Sequence, residues 1–218
     1  MTAAPEPRTT TFSLAELAAQ VASFWQRVPA ARADADGVVF RHDMAALRLP
    51  YAAPRARAAE QIGDYAERLL LGGEVQVVLL LQAGAMAFGC WRGDELVQHK
   101  AVKKYVVRGN GKSQATHLKT RGKSRYGSRL RLQNWKSLLG ETNERLTDCE
   151  ASFGPFSRIF FAVPPRVWPQ LLAATPPPPF ERDDARLQRL SMHVHRPDHE
   201  ELLRVRRRMR AGRVEWPE

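Results

Sequence analysis

The sequence has 218 residues, 44% of them hydrophobic, and a formal net charge of +11. This length allows one domain with extensions or two small domains, and the apolar fraction is sufficient for a buried core. The absence of an apolar run of about 18 residues excludes a membrane-spanning helix. The N-terminal sequence is not typical of a secretory signal, and two cysteines do not make a disulfide framework or a zinc site. We therefore expect a cytoplasmic protein.

The N-terminal part predicts a tail followed by two helices. Residues 1–11 are expected to be disordered. Ser13 and Glu16 form a capping-box pattern ahead of apolar residues at helical spacing, which predicts the first helix. A connector with a short strand at 38–41 should follow, and Pro54 is expected to open the second helix.

After this helix the hydrophobic period changes from helical to that of strands. Short apolar runs at 74–81 and 85–91 predict buried strands, and a longer strand over 96–107 becomes basic towards its end. A helix over 124–147 should follow. Its apolar face is predicted to carry Leu132, Trp135, Leu139 and Leu146.

The C-terminal part continues with alternating strands and helices. Strands are predicted at 158–163 and 187–194, with a short helix at 167–172 between them and a basic helix at 198–210. The resulting order β-β-β-α-β-α-β-α is typical of an α/β fold, here one mixed β-sheet with flanking helices.

This order suggests three parts of the chain. Residues 1–53 form an N-terminal tail, helix and connector, residues 54–195 form the α/β domain, and residues 196–218 form a basic helix and tail. A long basic loop is expected between the strand that ends near 107 and the helix that begins near 124.

One segment holds almost all of the charge surplus. No Asp or Glu occurs between Glu95 and Glu141, so the remainder of the chain is close to neutral. A surplus of positive charge confined to one segment favours a polyphosphate partner. We predict that this partner is RNA rather than DNA or a membrane surface. The basic residues of the segment are Lys100, Lys103, Lys104, Arg108, Lys112, Lys119, Arg121, Lys123, Arg125, Arg129, Arg131 and Lys136.

A glycine-containing turn, GNGKSQ, lies in the middle of this segment. It lacks the spacing of a nucleotide-binding P-loop. Its composition favours a flexible RNA-binding loop in which Gln114 is one polar residue among several. The alternative is a catalytic loop that presents Gln114 at its tip to a narrow RNA-lined site.

The sequence KKYVVRGNGKSQ, followed by a basic spacer and RYGSRLRLQNWKSLL, resembles the Vms-like release factor domain, a relative of the catalytic domain of eukaryotic and archaeal class I peptide-release factors. The matching pieces are the strand that ends at Arg108, the Ser113-Gln114 pair, Gly127-Ser128 and the helix after them. The detailed match covers about residues 97–147, and the flanking strands fit the same domain.

The resemblance implies a peptidyl-tRNA hydrolase that acts at the peptidyl-transferase centre of the large ribosomal subunit. Gln114 would help water attack the ester that joins the nascent chain to tRNA, with Ser113 and Gly111 in the same catalytic loop. Ordinary release factors have Gly-Gly before this glutamine, whereas Lys112 and Ser113 stand here. The serine suits the Vms-like branch, and the bulkier Lys112 could change how the loop packs against rRNA.

The implied reaction requires no cofactor. An aminoacyl ester is already activated, so a positioned water and a stabilised oxyanion are sufficient, and a neutral glutamine amide can supply both without titrating. The predicted partners are large-subunit rRNA and peptidyl-tRNA, with the protein cytoplasmic and ribosome-associated. The predicted RNA-binding residues are Lys100, Lys103, Lys104, Arg108, Lys112, Lys119, Arg121, Lys123, Arg125, Arg129 and Arg131.

Two other classes of function stay open from the residues alone. The first is a catalytically silent RNA- or ribosome-binding module that uses the loop only for docking. The second is a metal nuclease, for which clustered carboxylates would be needed. His193 and His195 would face the same side of a strand, but polar histidines on an edge strand are the favoured interpretation, and we predict no metal site.

Overall fold

The structure is a computed structural model that describes residues 8–69, 74–106 and 123–217; the side chains of residues 123–126 are not described. The chain divides into two compact units. Unit 1 comprises Met1–Gly73 and Arg204–Glu218, and unit 2 comprises Glu74–Leu203. The domain boundaries at 53/54 and 195/196 stay a prediction.

Unit 1 is built on a five-stranded antiparallel sheet, with strand order β1-β10-β4-β3-β2. The side chains of Phe40, Leu47 and Tyr65 are fully buried in its core. Its elements are β1 (Arg8–Ser13), α1 (Leu17–Arg27, after a 3₁₀ turn at Leu14–Glu16), β2 (Arg32–Ala33), β3 (Val39–His42), β4 (Ala45–Arg48), α2 (Ile62–Leu69) and β10 (Ala211–Trp216).

The start of α1 confirms the capping box. The backbone N–H of Ser13 donates to Glu16 Oε2 at 2.7 Å, and Ser13 Oγ donates to the same oxygen at 2.8 Å. The hydrogen bond from the Ser13 backbone lowers the pKa of the Glu16 carboxyl. Because a carboxylate here satisfies a free N–H and complements the helix dipole, this local sequence signal is sufficient to begin the helix.

The predicted disorder of residues 1–11 is wrong from Arg8 onwards. Residues Arg8–Ser13 pair in antiparallel register with β10, a strand that the sequence interpretation described only as a tail. These strands come from opposite ends of the chain, so neither is signalled by its own neighbourhood. The β-branched run Thr9–Thr11 favours a strand, but only its partner makes the strand stable.

The second helix begins later than expected. It starts at Ile62 rather than at Pro54, although the predicted inward positions Ile62 and Tyr65 are both fully buried. Pro54 has another role, because its carbonyl oxygen accepts a hydrogen bond from the Tyr65 hydroxyl at 2.7 Å.

Unit 2 is built on a five-stranded mixed sheet, with strand order β7-β6-β5-β8-β9. The β5–β6 and β6–β7 pairs are antiparallel, whereas the β5–β8 and β8–β9 pairs are parallel. The mixed α/β fold and the order of its elements are confirmed. The elements are β5 (Val75–Gln82), β6 (Ala85–Arg92), β7 (Glu95–Lys103), α3 (Lys123–Phe153), β8 (Arg158–Ala162), α4 (Trp168–Leu172), β9 (Leu187–Arg189) and α5 (His199–Met209), which continues into unit 1.

Helix α3 packs its C-terminal half against the sheet. Leu139 and Leu146 are buried as predicted, and Leu138 is fully buried beside them. Leu132 does not lie on this face, because its side chain is 56% exposed. The apolar pattern therefore predicts the helix but places the beginning of its buried stretch about one turn too early.

Three further boundaries differ from the sequence interpretation. Strand β7 ends at Lys103, short of Val107, and β9 is only three residues long. Helix α3 continues to Phe153 instead of ending near 147. Among the described helices, none combines the length and the hydropathy needed to cross a bilayer.

Candidate functional site at the end of strand β7

Strand β7 lies at one edge of the unit 2 sheet and presents its basic residues on both faces. Lys100 lies opposite Phe88, and Phe88 belongs to the core into which α3 packs, so Lys100 is on the α3 face. Lys103 lies opposite Ala85 on the other face. The lysines that the sequence grouped together therefore do not form one surface.

Lys104, the first residue after β7, is attached to α3. Its Nζ donates to Ser137 Oγ at 2.6 Å and lies 3.0 Å from Glu141 Oε2. Its backbone N–H donates to the carbonyl oxygen of Gly84 at 2.9 Å, which extends the sheet pairing by one residue. Because both charged groups are about three-quarters buried, this contact is stronger than a surface ion pair.

The next residue is held by the same helix. Asn134 Nδ2 donates to the carbonyl oxygen of Tyr105 at 2.8 Å. We call the contacts of Lys104 and Tyr105 with Asn134, Ser137 and Glu141 the β7–α3 clamp. It fixes the chain just before residue 107, and α3 itself begins at Lys123, about 16 Å along the helix from Asn134. On one side of segment 107–122 the chain is hydrogen-bonded to α3, and on the other side it continues as the first turn of the same helix.

The described surface beside the clamp is basic and partly apolar. Tyr105 and Leu132 are 53% and 56% exposed, and Arg129 and Lys136 are also exposed. The Arg131 guanidinium donates to Ser128 Oγ at 3.1 Å within the helix. Trp135 belongs to the inner side, as expected, with its indole N–H donating to Gln170 Oε1 at 2.7 Å.

Two of the predicted RNA-binding lysines already have carboxylate partners. Lys104 pairs with Glu141, and Lys103 Nζ lies 3.8 Å from Asp198 Oδ2 in an exposed pair. Both carboxylates lie outside the stretch that contains no acidic residue. These two lysines have no acidic residue near them in the sequence, but the fold brings a carboxylate to each of them.

The predicted catalytic loop lies outside the described residues. This applies to Gly111, Ser113 and Gln114, and also to the basic residues Arg108, Lys112, Lys119 and Arg121. Lys123 and Arg125 lie in the first turn of α3, and their side chains are not described. The assignment of all these residues stays a prediction.

The clamp residues Asn134, Ser137 and Glu141 were missed by sequence reasoning. They recur at i, i+3 and i+7, so they form one polar stripe on the helix. By helical periodicity this stripe lies away from the predicted apolar face, so it resembles an ordinary solvated side of the helix and gives no local signal that a strand end docks there.

The histidines do not form the strand surface that was expected. Strand β9 ends at Arg189, and the His193 and His195 rings meet edge to face at 4.8 Å between centroids. His195 Nδ1 lies 3.3 Å from Glu201 Oε2. Within the part of the chain that the structure describes, no group of three or more His, Cys, Asp or Glu side chains is placed to hold a metal ion.

Comparisons with known proteins identify the family of the chain and a solved structure with a similar fold. Residues 76–215, more than half of the chain, match the family model described as Bacteroidetes VLRF1 release factor. No curated protein matches the sequence. A solved structure, the Vms1 mitochondrial localization core, is similar in fold with a TM-score of 0.51 and 12% identity, over 90% of this chain and 81% of that one.

Proposed function

The chain belongs to the Bacteroidetes VLRF1 release-factor family, and we propose that it hydrolyses peptidyl-tRNA at the peptidyl-transferase centre of the large ribosomal subunit. The reaction would release nascent chains from stalled ribosomal complexes. Gln114, in the loop with Gly111 and Ser113, is the proposed catalytic residue, and large-subunit rRNA and peptidyl-tRNA are the proposed partners. The proposed location is ribosome-associated in the cytoplasm.

The β7–α3 clamp is the observation that carries this proposal. A catalytic group that must reach a site inside an RNA particle needs a support that does not yield when the loop is inserted. The clamp ties the strand end to the middle of a 31-residue helix. If the predicted loop follows, a flank held by a long helix is suited to positioning a single side chain at a distance from the protein core.

The chemistry also suits a neutral amide. Water attacks the ester carbon, the carbonyl oxygen becomes an oxyanion, and the bond to the tRNA 3′ oxygen then breaks. The Gln114 side chain can orient the water, and the adjoining backbone N–H can stabilise the oxyanion. RNA groups in the same site can transfer the proton, so no protein acid or base is required.

The silent docking module is the second candidate, and Lys112 is the observation that favours it. This long cationic side chain stands where ordinary release factors have a glycine. A bulky residue there would restrict close packing of the loop against rRNA while still adding a phosphate contact. On this account the loop binds RNA, and Gln114 has no special role.

Replacing Gln114 separates the two candidates. Gln114→Ala removes no charge, so binding to large subunits should be retained. If the amide acts in the transition state, release of the nascent chain should slow by about 10²–10³. The two measurements are binding and single-turnover release on the same preparation of large subunits that carry peptidyl-tRNA.

Gln133→Ala is the matched control, because Gln133 is an exposed glutamine on α3. It should release at the wild-type rate. Wild-type release by Gln114→Ala would reject Gln114 as the catalytic residue. Binding without release by the wild-type protein would support the docking module instead.

A further inference from the structure

A second basic surface lies in unit 1, outside the charged segment of the sequence. The strand registers place four arginines on one face of the unit 1 sheet. Arg32 on β2 lies directly opposite Arg41 on β3, and Arg48 on β4 lies directly opposite Arg213 on β10. Arg41 pairs with Ala46, two residues before Arg48 on β4, so both pairs share one face. We call these four residues the arginine face.

All four side chains are exposed, and their charges are poorly compensated. Among the described residues, the side chains of Arg41 and Arg48 have no hydrogen-bond or ion-pair partner. The Arg32 guanidinium donates to the carbonyl oxygen of Ala59 at 3.2 Å, which leaves its charge without a carboxylate partner among the residues that the structure describes. Arg213 lies 3.7 Å from the carboxylate of Glu215, whose side chain is half-buried.

This arrangement is unfavourable for the isolated fold. Like charges on directly opposed residues of an antiparallel pair destabilise the sheet, and the arginine face contains two such pairs. In contrast, the core face of the same strands carries Phe40, Leu47 and Val214, whose packing explains their presence. Neither packing nor ion pairing explains why four arginines lie together on the other face.

We propose that the arginine face binds the phosphate backbone of a base-paired RNA segment. Guanidinium groups bind phosphate oxygens in a bidentate manner, and an RNA phosphate would relieve the repulsion between the opposed arginines. The exposed Thr11 lies opposite Arg213 and adds a hydroxyl, a further group that commonly contacts phosphate or sugar.

The composition of the face favours an RNA helix over other anionic partners. Protein interfaces have an apolar centre, and single-stranded RNA is bound by exposed aromatic side chains. The exposed large hydrophobic residues described in unit 1 are Trp25 on α1 and Met44 in the β3–β4 turn, neither of which lies on this face. The apolar residues that do share the face, Val39 opposite Arg48 and Ala46 opposite Arg41, are buried and offer no apolar surface to a partner. A membrane surface would likewise call for apolar residues beside the charges.

The test is the salt dependence of binding to an RNA hairpin by the full chain. Arg41→Gln combined with Arg48→Gln removes one charge from each opposed pair. The slope of log affinity against log salt should fall by about two, close to one unit for each lost phosphate contact. A fall of two units in this slope makes the gain in affinity between about 1 M and 0.1 M salt roughly 10²-fold smaller than in the wild type. The proposal concerns RNA affinity and does not require that the protein releases nascent chains.

Arg166→Gln combined with Arg182→Gln is the charge-matched control. Both residues are exposed and lie in unit 2, so the slope should stay at the wild-type value. An equal fall in the control would overturn the proposal, because it would show a general effect of net charge. An unchanged slope in Arg41→Gln/Arg48→Gln would overturn it directly.

A stability measurement and a charge-conserving variant show whether a changed slope comes from misfolding or from lost charge. Because repulsion is relieved, the melting temperature of Arg41→Gln/Arg48→Gln should equal or exceed that of the wild type. Arg41→Lys combined with Arg48→Lys should retain the slope. A slope that fell as much in the lysine variant would contradict phosphate binding. The proposal would also be contradicted if Arg41→Gln/Arg48→Gln lost affinity for acidic peptides or anionic vesicles but bound the RNA hairpin as the wild type does.

Discussion

The lysines at the end of β7 in unit 2 lie beside carboxylates, whereas the arginines of the arginine face in unit 1 lie beside one another. Lys103 and Lys104 belong to the most basic stretch of the sequence, yet both have acidic partners. Arg41 and Arg48 lie outside that basic stretch, yet strand pairing places each of them opposite another arginine. The density of charge along a chain therefore does not tell which charges are available to a partner.

This difference predicts that basic residues divide into those that stabilise the fold and those that bind RNA. Arg186 is the extreme of the first kind. Its guanidinium contacts both oxygens of Asp184 at 2.7–3.0 Å, Glu150 Oε1 at 2.8 Å and the carbonyl oxygen of Pro179 at 3.0 Å. Arg186 therefore joins α3 to the segment 179–184, which precedes β9.

Arg186→Met should have the largest effect on stability. It leaves two partly buried carboxylates without their cation, and we expect a loss of about 2–3 kcal/mol in the free energy of unfolding. Denaturant unfolding of Arg186→Met and of the exposed control Arg182→Met measures this. Equal midpoints for the two variants would show that the network contributes nothing net.

Lys104→Met should have an intermediate effect. It removes the cation of the clamp from Glu141, whose other ion-pair partner among the described residues is Arg145 at 4.0 Å. We expect a loss of about 1–2 kcal/mol in the free energy of unfolding. The salt dependence of RNA binding should change little, because the charge is already paired. A fall of one unit in the salt slope, without loss of stability, would assign Lys104 to RNA instead.

Asp184→Asn should have a smaller effect that depends on pH. The hydrogen bond from Arg186 lowers the pKa of Asp184 below its ordinary value. The ionised pair therefore stabilises the protein above the unfolded pKa of about 4, and this stabilisation is lost as pH falls through the lower folded pKa. The variant should be about 1 kcal/mol less stable at neutral pH, and the difference should close as pH falls from about 4 through the lower folded pKa of Asp184. A constant difference across this range would contradict the assignment.

Lys100→Met should have the smallest effect on stability. Lys100 is exposed at the edge strand, and no partner for its side chain is found among the described residues. The unfolding free energy should change by less than about 0.5 kcal/mol, while the salt slope of RNA binding should fall by about one. An unchanged slope would place Lys100 among solvated charges that do not contact RNA.

Local patterns were sufficient for much of the fold. The Ser13–Glu16 capping box and the apolar run at 74–81, which the structure shows as the strand Val75–Gln82, each predict their element from neighbouring residues alone. The β1–β10 pairing could not be predicted in this way, because its strands are separated by almost the whole chain. The exposed Leu132 marks another limit: period alone does not tell where along a long helix the buried part begins.

The candidate site shows the same limit for charges and polar groups. The sequence could identify the basic stretch and the strand and helix on either side of it. The partners of Lys103 and Lys104 depend on a contact with Asp198 and on the orientation of α3. Neither contact is encoded in the local pattern.

The most direct test of the proposed function is the product formed by the wild-type protein on large subunits that carry peptidyl-tRNA. After saturating protein is added, both the nascent peptide and the tRNA are recovered and analysed. The proposed ester hydrolysis predicts free peptide together with tRNA of full length. Peptide still attached to tRNA on subunits that hold the protein, or peptide attached to a shortened tRNA, would contradict it.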